Sequence, residues 1–310
     1  MASGRSVWGR LLGALGSMLL LLAVMAAVWR IFIFPWASNW GSTMEERRRP
    51  LPGDGFGTQS APRRTCAITI RAPAGEAWKW LVQIGQDRGG FYSYTFLENF
   101  LGAGIRNASE IRPEWQELKA GDSVRLARDE GVVKPKVLAV EPGRLLVLAF
   151  WGAFVLEPAP GGGSCRLLIR SRGMDKPLAR FLLSLTLDPV HFLMQRRMML
   201  GIRAMAEAKT AGGRPVIPGA ADYAWFFSLL GSGLLVLVVL FAGRRRGRLP
   251  TAACLTVLVT LALYRLPPVA LTGIGMAAFT LLVLLWRVGI FGRPGPGPKK
   301  NGNQGPGLET

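Results

Sequence analysis

Histidine and cysteine are scarce in this chain. Its 310 residues include one histidine, His191, and three cysteines, Cys66, Cys165 and Cys254. A zinc site needs about four closely spaced ligands, and no two of these cysteines form a CxxC pair. Neither a metal site nor a disulfide framework is expected, and no cofactor is implied. Acidic residues are few as well: 19 Asp and Glu stand against 38 Lys and Arg, giving a formal net charge of +19. Such a balance suits nucleic acid, an anionic membrane surface or acidic partners. Nucleic acid is set aside, because the arginines are not interleaved with aromatics in a recognisable reading module. The stretch Gly53-Asp54-Gly55-Phe56-Gly57 follows no strand and lacks a Lys-Ser/Thr partner, which excludes a phosphate loop.

What the chain has instead is long apolar runs. The first, Leu11 to Val28, is preceded by Arg5 and Arg10 and followed by Arg30. It is long enough to cross a hydrocarbon core. It exceeds a usual signal-peptide core and no clear A-x-A site follows, so an uncleaved anchor over residues 1–35 is expected rather than a cleaved leader. A second run, Tyr223 to Ala242 (segment 222–243), begins with Tyr223 and Trp225 and ends at Arg244, Arg245, Arg246 and Arg248. Thr251 to Tyr264 is short for a span. Pro267 and Pro268 separate it from Val269 to Trp286, which predicts a helical hairpin over 250–288, with a re-entrant first arm as the alternative. Positive charge beside short loops favours the cytoplasm. Arg5, Arg10, the Arg244–Arg248 cluster, Arg287, Arg293, Lys299 and Lys300 then share one side, and the middle domain lies on the other, extracytoplasmic side of a bacterial plasma membrane. The Gly- and Pro-rich tail, 289–310, is expected to be disordered.

Between the first and second runs lies a water-facing domain. Residues 36–64, rich in Arg, Pro and Gly, predict a linker. From 65 to 211 the pattern is that of a folded unit. Cys66 to Arg71 is a strand candidate, and Pro73 opens a helix carrying Trp78, Leu81, Val82 and Ile84. A second helix is predicted over Ser93 to Leu101. Strands are predicted at Ser123 to Ala127, Val132 to Val140, Leu145 to Trp151, Phe154 to Glu157 and Arg166 to Ser171. Asp188 is expected to cap a long helix, with Pro189 in its first turn. Met194, Met198, Ile202 and Met205 form its apolar stripe. This order, a strand, two helices, a meander and a long helix, predicts a curved antiparallel sheet wrapped around that helix with a cavity between them.

The string Trp80-Leu81-Val82-Gln83-Ile84-Gly85-Gln86-Asp87-Arg88-Gly89-Gly90-Phe91-Tyr92-Ser93-Tyr94 resembles bacterial members of the START-like superfamily, also called SRPBCC, which includes polyketide cyclase-like proteins. Leu97-Glu98-Asn99, Ile105-Arg106-Asn107-Ala108, Gly121-Asp122 and Met198-Met199-Leu200-Gly201-Ile202 extend the resemblance over about residues 66–208. It implies an α+β helix-grip domain with an internal apolar pocket, here joined to transmembrane α-helices. It does not specify a ligand.

Gln83, Gln86, Asp87, Arg88, Tyr92 and Tyr94 form the densest polar cluster. One reading sets some of them at a pocket mouth, orienting a polar ligand group. The other has Asp87 pair with Arg88 and the glutamines satisfy backbone groups around the glycine turns, the commoner role of polar turn residues. Met194, Met198 and Ile202 line either an adaptable pocket or ordinary core. A lone His191 in a helix is more often structural than a general base, and no nucleophile is paired with it by sequence. Asp87, Glu98, Tyr92 and Tyr94 are the residues to test for acid–base chemistry. Arg166, Leu168, Arg170 and Arg172 share one strand face, expected to meet solvent or lipid headgroups. In the helix-grip fold that the resemblance implies, the strands begun by Cys66 and Cys165 are antiparallel neighbours, which sets the two cysteines too far apart for a bridge. The functional expectation is a membrane-anchored domain binding a small hydrophobic or lipid-like molecule. The alternatives are a cyclase- or hydrolase-type enzyme using the same cavity, and a non-binding assembly module.

Overall fold

The computed structural model describes residues 7–56, 63–132, 134–172, 177–208, 213, 215–242 and 248–288. The predicted tail beyond 289 lies outside them. The Leu- and Ala-rich first run forms α1 (Val7–Val28), which continues through a π-turn (Trp29–Ile33) into the short α2 (Phe34–Ala37). Thr43 then caps α3 (Met44–Arg48): its hydroxyl accepts from the Glu46 amide while the Glu46 carboxylate accepts from the Thr43 amide. That reciprocal pair satisfies two amides a helix start otherwise leaves open.

The domain is α+β. Strands β1 (Arg63–Ile70), β2 (Val137–Glu141), β3 (Leu145–Leu148), β4 (Gly152–Pro158) and β5 (Cys165–Arg172) form an open antiparallel sheet in the order β1-β5-β4-β3-β2. The antiparallel β1–β5 pairing is the one that the resemblance implied. Cys66 faces Ile169 and Cys165 faces Ile70 across the ladder, and both thiols are free. Three strand expectations are corrected. Of the described residues in Val132 to Val140, only those from Val137 are strand. Ser123 to Ala127 is a loop holding only an isolated bridge, Ser123 to Lys136. The strand expected to reach Trp151 stops at Leu148, because Phe150 takes a φ of 65°. A bulky residue in the left-handed region ends a ladder.

Helices α4 (Ala74–Val82) and α5 (Thr95–Phe100) follow β1, and α6 (Pro177–Glu207) follows β5. One sheet face packs Ile68, Leu146, Phe154 and Leu167 against Met198, Met199, Ile202 and Met205 of α6. Each fully buried side chain of this size contributes about 1.5–3 kcal/mol. The expected start of α6 at Asp188 is corrected: the helix begins eleven positions earlier, at Pro177, and Pro189 lies inside it. Leu178 to Leu187 is a run of good helix formers, which outweighs the one backbone bond that Pro189 removes. Asp188 is engaged sideways, 2.8 Å from Arg64.

The other sheet face is also apolar, and what covers it is a second correction. Leu51 packs on Ala67, Leu145, Val147, Ala153, Val155 and Leu168. Part of the expected linker, residues 41–54, is therefore a structured cover. Its fastening is the arginine face of β5, expected to be solvated. Arg166 grips Glu46 at 2.7 Å, and Arg170, 3% exposed, pairs with Asp54 at 2.8 Å and donates to the Arg49 carbonyl at 2.9 Å. Arginine suits this role because its fork of donors satisfies several acceptors at once.

The remaining helices are α7 (Ala220–Ala242), α8 (Arg248–Arg265) and α9 (Ala270–Val288). Three stretches are long and apolar enough to cross a membrane: Leu12–Ala37, Ala220–Phe241 and Ala270–Arg287. In the expected hairpin region α8 and α9 are both helical with the Pro267-Pro268 turn between them, and of the two only α9 is among the candidate spans. Leu21 of α1 packs on Val236, Val239, Leu240, Ala252 and Leu255 of α7 and α8. A Cβ on Gly273 would lie 2.6 Å from the Trp225 carbonyl oxygen, so only glycine lets α9 approach α7 this closely. Trp29, Trp225 and Tyr264 meet the domain residues Tyr94 and Phe192. The C-terminal ends of α1 and α8 and the N-terminal end of α7 thus abut the domain.

Candidate functional site

An apolar cavity of about 370 Å³ opens beside the sheet. Helix α6 supplies His191, Met194, Gln195 and Met198, at spacings of three, one and three, which place them on one helix face. Phe91, Ala103, Ile105, Leu126 and Val132 come from the loops facing α6, Glu98 and Leu101 from α5 and its end, and Trp151 from the β3–β4 turn. The left-handed Phe150 matters here. It directs itself to solvent, 91% exposed, while Trp151 makes edge-to-face or tilted contacts with Phe91, Phe154 and His191.

Three buried polar atoms on these lining residues lack a hydrogen-bond partner among the described residues: Glu98 Oε2, Trp151 Nε1 and Gln195 Oε1. An unsatisfied buried polar group costs about 1–3 kcal/mol. These atoms are shut away from solvent on residues that line an otherwise apolar cavity, and a few polar groups among apolar ones is the make-up of a ligand site. Burial pushes the Glu98 carboxyl up to about 7, with no compensating cation. His191 lies at the rim and is exposed to solvent.

The mouth is apolar and close to the membrane helices. Phe100 and Leu101, 88% and 80% exposed, end α5. Four residues earlier, Phe96 packs on Tyr223, Phe226 and Phe227 of α7 at ring distances of 4.8, 5.2 and 5.6 Å. The short helix that carries Glu98 is thereby tied to the first turns of a candidate membrane span.

The structure distributes the expected site residues among different places. Met194 and Met198 line the cavity, and Ile202 is buried in the core beyond it. Gln83 is fully buried: its amide donates to Tyr92 Oη at 2.6 Å and to the Glu110 carbonyl at 3.2 Å, and its oxygen accepts from the Arg112 amide at 3.3 Å. Gln86 donates to the Gly104 carbonyl, and Arg88 donates to the Trp115 carbonyl rather than to Asp87. Gln86, Asp87 and Arg88 line a separate polar groove with Arg106 and Asn107. Tyr92 is buried beneath Gly201, whose close approach leaves no space for a Cβ, and Tyr94 stacks on Trp225 at 6.0 Å. Burial raises both phenols well above their ordinary pKa. Sequence reasoning did not group Trp151 or Gln195 with the site. The helical spacing of Gln195 from His191 and Met198 carried that signal, whereas the Trp151 position depends on the turn.

No known family profile matches this chain, and no curated protein matches it. Among solved structures it is similar to the X-ray crystal structure of protein MLL2253 from Mesorhizobium loti. The two are 19% identical over 46% of this chain and 97% of that one, with a TM-score of 0.25, too loose a superposition to inform fold or function.

Proposed function

We propose that the chain is a membrane-anchored START-like domain of helix-grip type that binds a small hydrophobic or lipid-like molecule in the cavity between α5, α6 and the β3–β4 turn. The observation that carries this reading is an apolar cavity of about 370 Å³ whose lining holds unpartnered polar atoms on Glu98, Trp151 and Gln195. Volume of that order suits a small ligand. The exposed Phe100 and Leu101 beside α7 favour exchange of an apolar ligand with the bilayer surface. The α+β order and the sequence resemblance support the helix-grip assignment. The charge pattern supports four crossings, with both termini cytoplasmic and the domain outside. A reporter fused at Gly212 is expected to report the extracytoplasmic side and one at Thr310 the cytoplasm.

Native mass spectrometry of the full chain in detergent tests the binding claim. The expected result is a co-purified apolar molecule released by organic extraction. Protein that carries none, and takes up no added fatty acid or phospholipid, would leave the assembly-module reading. One observation favours a second reading. Glu98 and His191 line the same cavity, and a carboxyl titrating near 7 suits proton transfer. A cyclase- or hydrolase-type enzyme would convert its bound molecule, and Glu98→Gln would stop the conversion while keeping the molecule bound.

A further inference from the structure

A second groove lies where the domain meets the membrane helices. It has a volume of about 470 Å³ and is lined by Trp40, Arg196, Arg197, Arg203, Arg265 and the Leu266–Val269 turn, with Asp222 at one side. Its charge is unbalanced: four guanidinium groups face one carboxylate. That carboxylate is already taken, because Arg197 holds Asp222 in a two-pronged pair, Nε to Oδ1 at 2.8 Å and Nη2 to Oδ2 at 2.7 Å. Arg196 is 4% exposed and donates only to backbone, to the Tyr264 and Leu266 carbonyls. No carboxylate among the described residues neutralises it. Arg265 donates to the Phe32 carbonyl at 2.6 Å and lies over the Trp36 ring at 4.6 Å, and Arg203 forms no ion pair among the described residues. A buried guanidinium without an anion is a costly arrangement unless an anion completes it.

The position of the groove selects the anion. Its floor is the turn between α8 and α9 and the first turn of α7, the level at which candidate membrane helices end. Trp36 and Trp40 stand at the same level, as interfacial tryptophans do. Phosphate oxygens are the acceptors that arginine forks match best. We infer that this groove binds a phosphate-bearing anion, supplied by the headgroup of an anionic phospholipid, between Arg196, Arg203 and Arg265. The site is separate from the apolar cavity and shares no residue with it.

The test uses the full chain in detergent, titrated with short-chain phosphatidylglycerol, short-chain phosphatidylcholine and inorganic phosphate, with binding read by native mass spectrometry. The variant is Arg203→Gln with Arg265→Gln, which spares the buried Arg196 and the Arg197–Asp222 pair. Phosphatidylglycerol is expected to bind the parent at least tenfold more tightly than phosphatidylcholine, and the variant to lose that preference. If inorganic phosphate binds as tightly as phosphatidylglycerol and the variant loses both, the anion site stands and a soluble phosphate is its source. Equal binding of the two lipids by the parent, or an unchanged preference in the variant, would overturn the inference. Because the variant leaves every residue of the apolar cavity in place, its result does not depend on what that cavity holds.

Discussion

Arg170 and Asp54 meet at 2.8 Å between β5 and the chain that precedes β1, with the arginine side chain 1% exposed. The same guanidinium donates to Thr65 Oγ1 at 3.1 Å and to the Arg49 and Glu46 carbonyls. Asp54 in turn accepts from the Leu51 amide at 2.9 Å, which sets Leu51 on the outer sheet face. One buried ion pair thus fastens a cover that shields an apolar surface. Removing only one partner leaves the other uncompensated and costs about 3–5 kcal/mol, whereas replacing both with apolar residues is often close to neutral. Arg170→Met is expected to lower the melting temperature and to make residues 41–54 sensitive to protease. Arg170→Met with Asp54→Leu is expected to recover part of the loss. Parent-like melting and protease resistance in the single variant would show that this pair does not hold the cover.

Some of this arrangement was legible in the sequence, and the reasons differ by element. The turn signals gave most of the meander, while the β1–β5 pairing was expected from the helix-grip resemblance, since β4 and β5 are buried on both faces and show no plain alternation. The apolar runs gave the three helices that are long and apolar enough to cross a membrane. The cover was not legible: Arg47-Arg48-Arg49 followed by Pro and Gly has the composition of a linker. Its structure comes from partners more than one hundred residues away, Glu157 and Arg170 among them. Arg166, Arg170 and Arg172 read as a solvated face for the same reason, since period two shows that residues share a face but not what lies over it. At the site, Met194 and Met198 followed from helical spacing. The role of Gln83 as a backbone partner required the fold of the loop at Glu110 to Arg112. Trp151 required the left-handed Phe150, which no propensity announces.

Glu98 gives a pH-dependent prediction whose sign can be worked out. Burial raises its folded pKa to about 7 from 4.5, so the folded chain holds this proton more tightly than the unfolded chain does. The linked stability is fully present below about 4.5, falls as pH rises toward 7, and levels off above it. Binding should follow the same course, since the neutral acid suits an apolar cavity and can donate a hydrogen bond. The expected outcome is that the parent melts lower and holds an apolar ligand more weakly at pH 8 than at pH 6. Glu98→Gln should remove this group's contribution to both differences and should melt above the parent at pH 8. Identical pH profiles for the two proteins, in melting and in ligand retention, would mean that Glu98 is ionised and solvated in the folded state.

Met198 distinguishes a working cavity from a filled core. Its side chain is 1% exposed, packed among Met199, Ile202 and the inner sheet face, yet it also borders the 370 Å³ cavity with Met194 and Gln195. A methionine in that position is packed into the core on one side and touches the cavity wall on the other. Met198→Trp adds a large rigid ring, which has space only if it turns into the cavity. The expected outcome is that the variant melts within a few degrees of the parent while its content of co-purified apolar molecule falls. In a solid core the same change would overpack and cost about 1–3 kcal/mol. A marked loss of melting temperature, with no apolar molecule found in either protein, would assign this region to packing and leave the domain as an assembly module. Ile202→Trp serves as the control, because Ile202 is fully buried and does not border the cavity. That variant is expected to be destabilised whether or not a ligand binds, so the contrast between the two positions, one helical turn apart, reports the cavity itself.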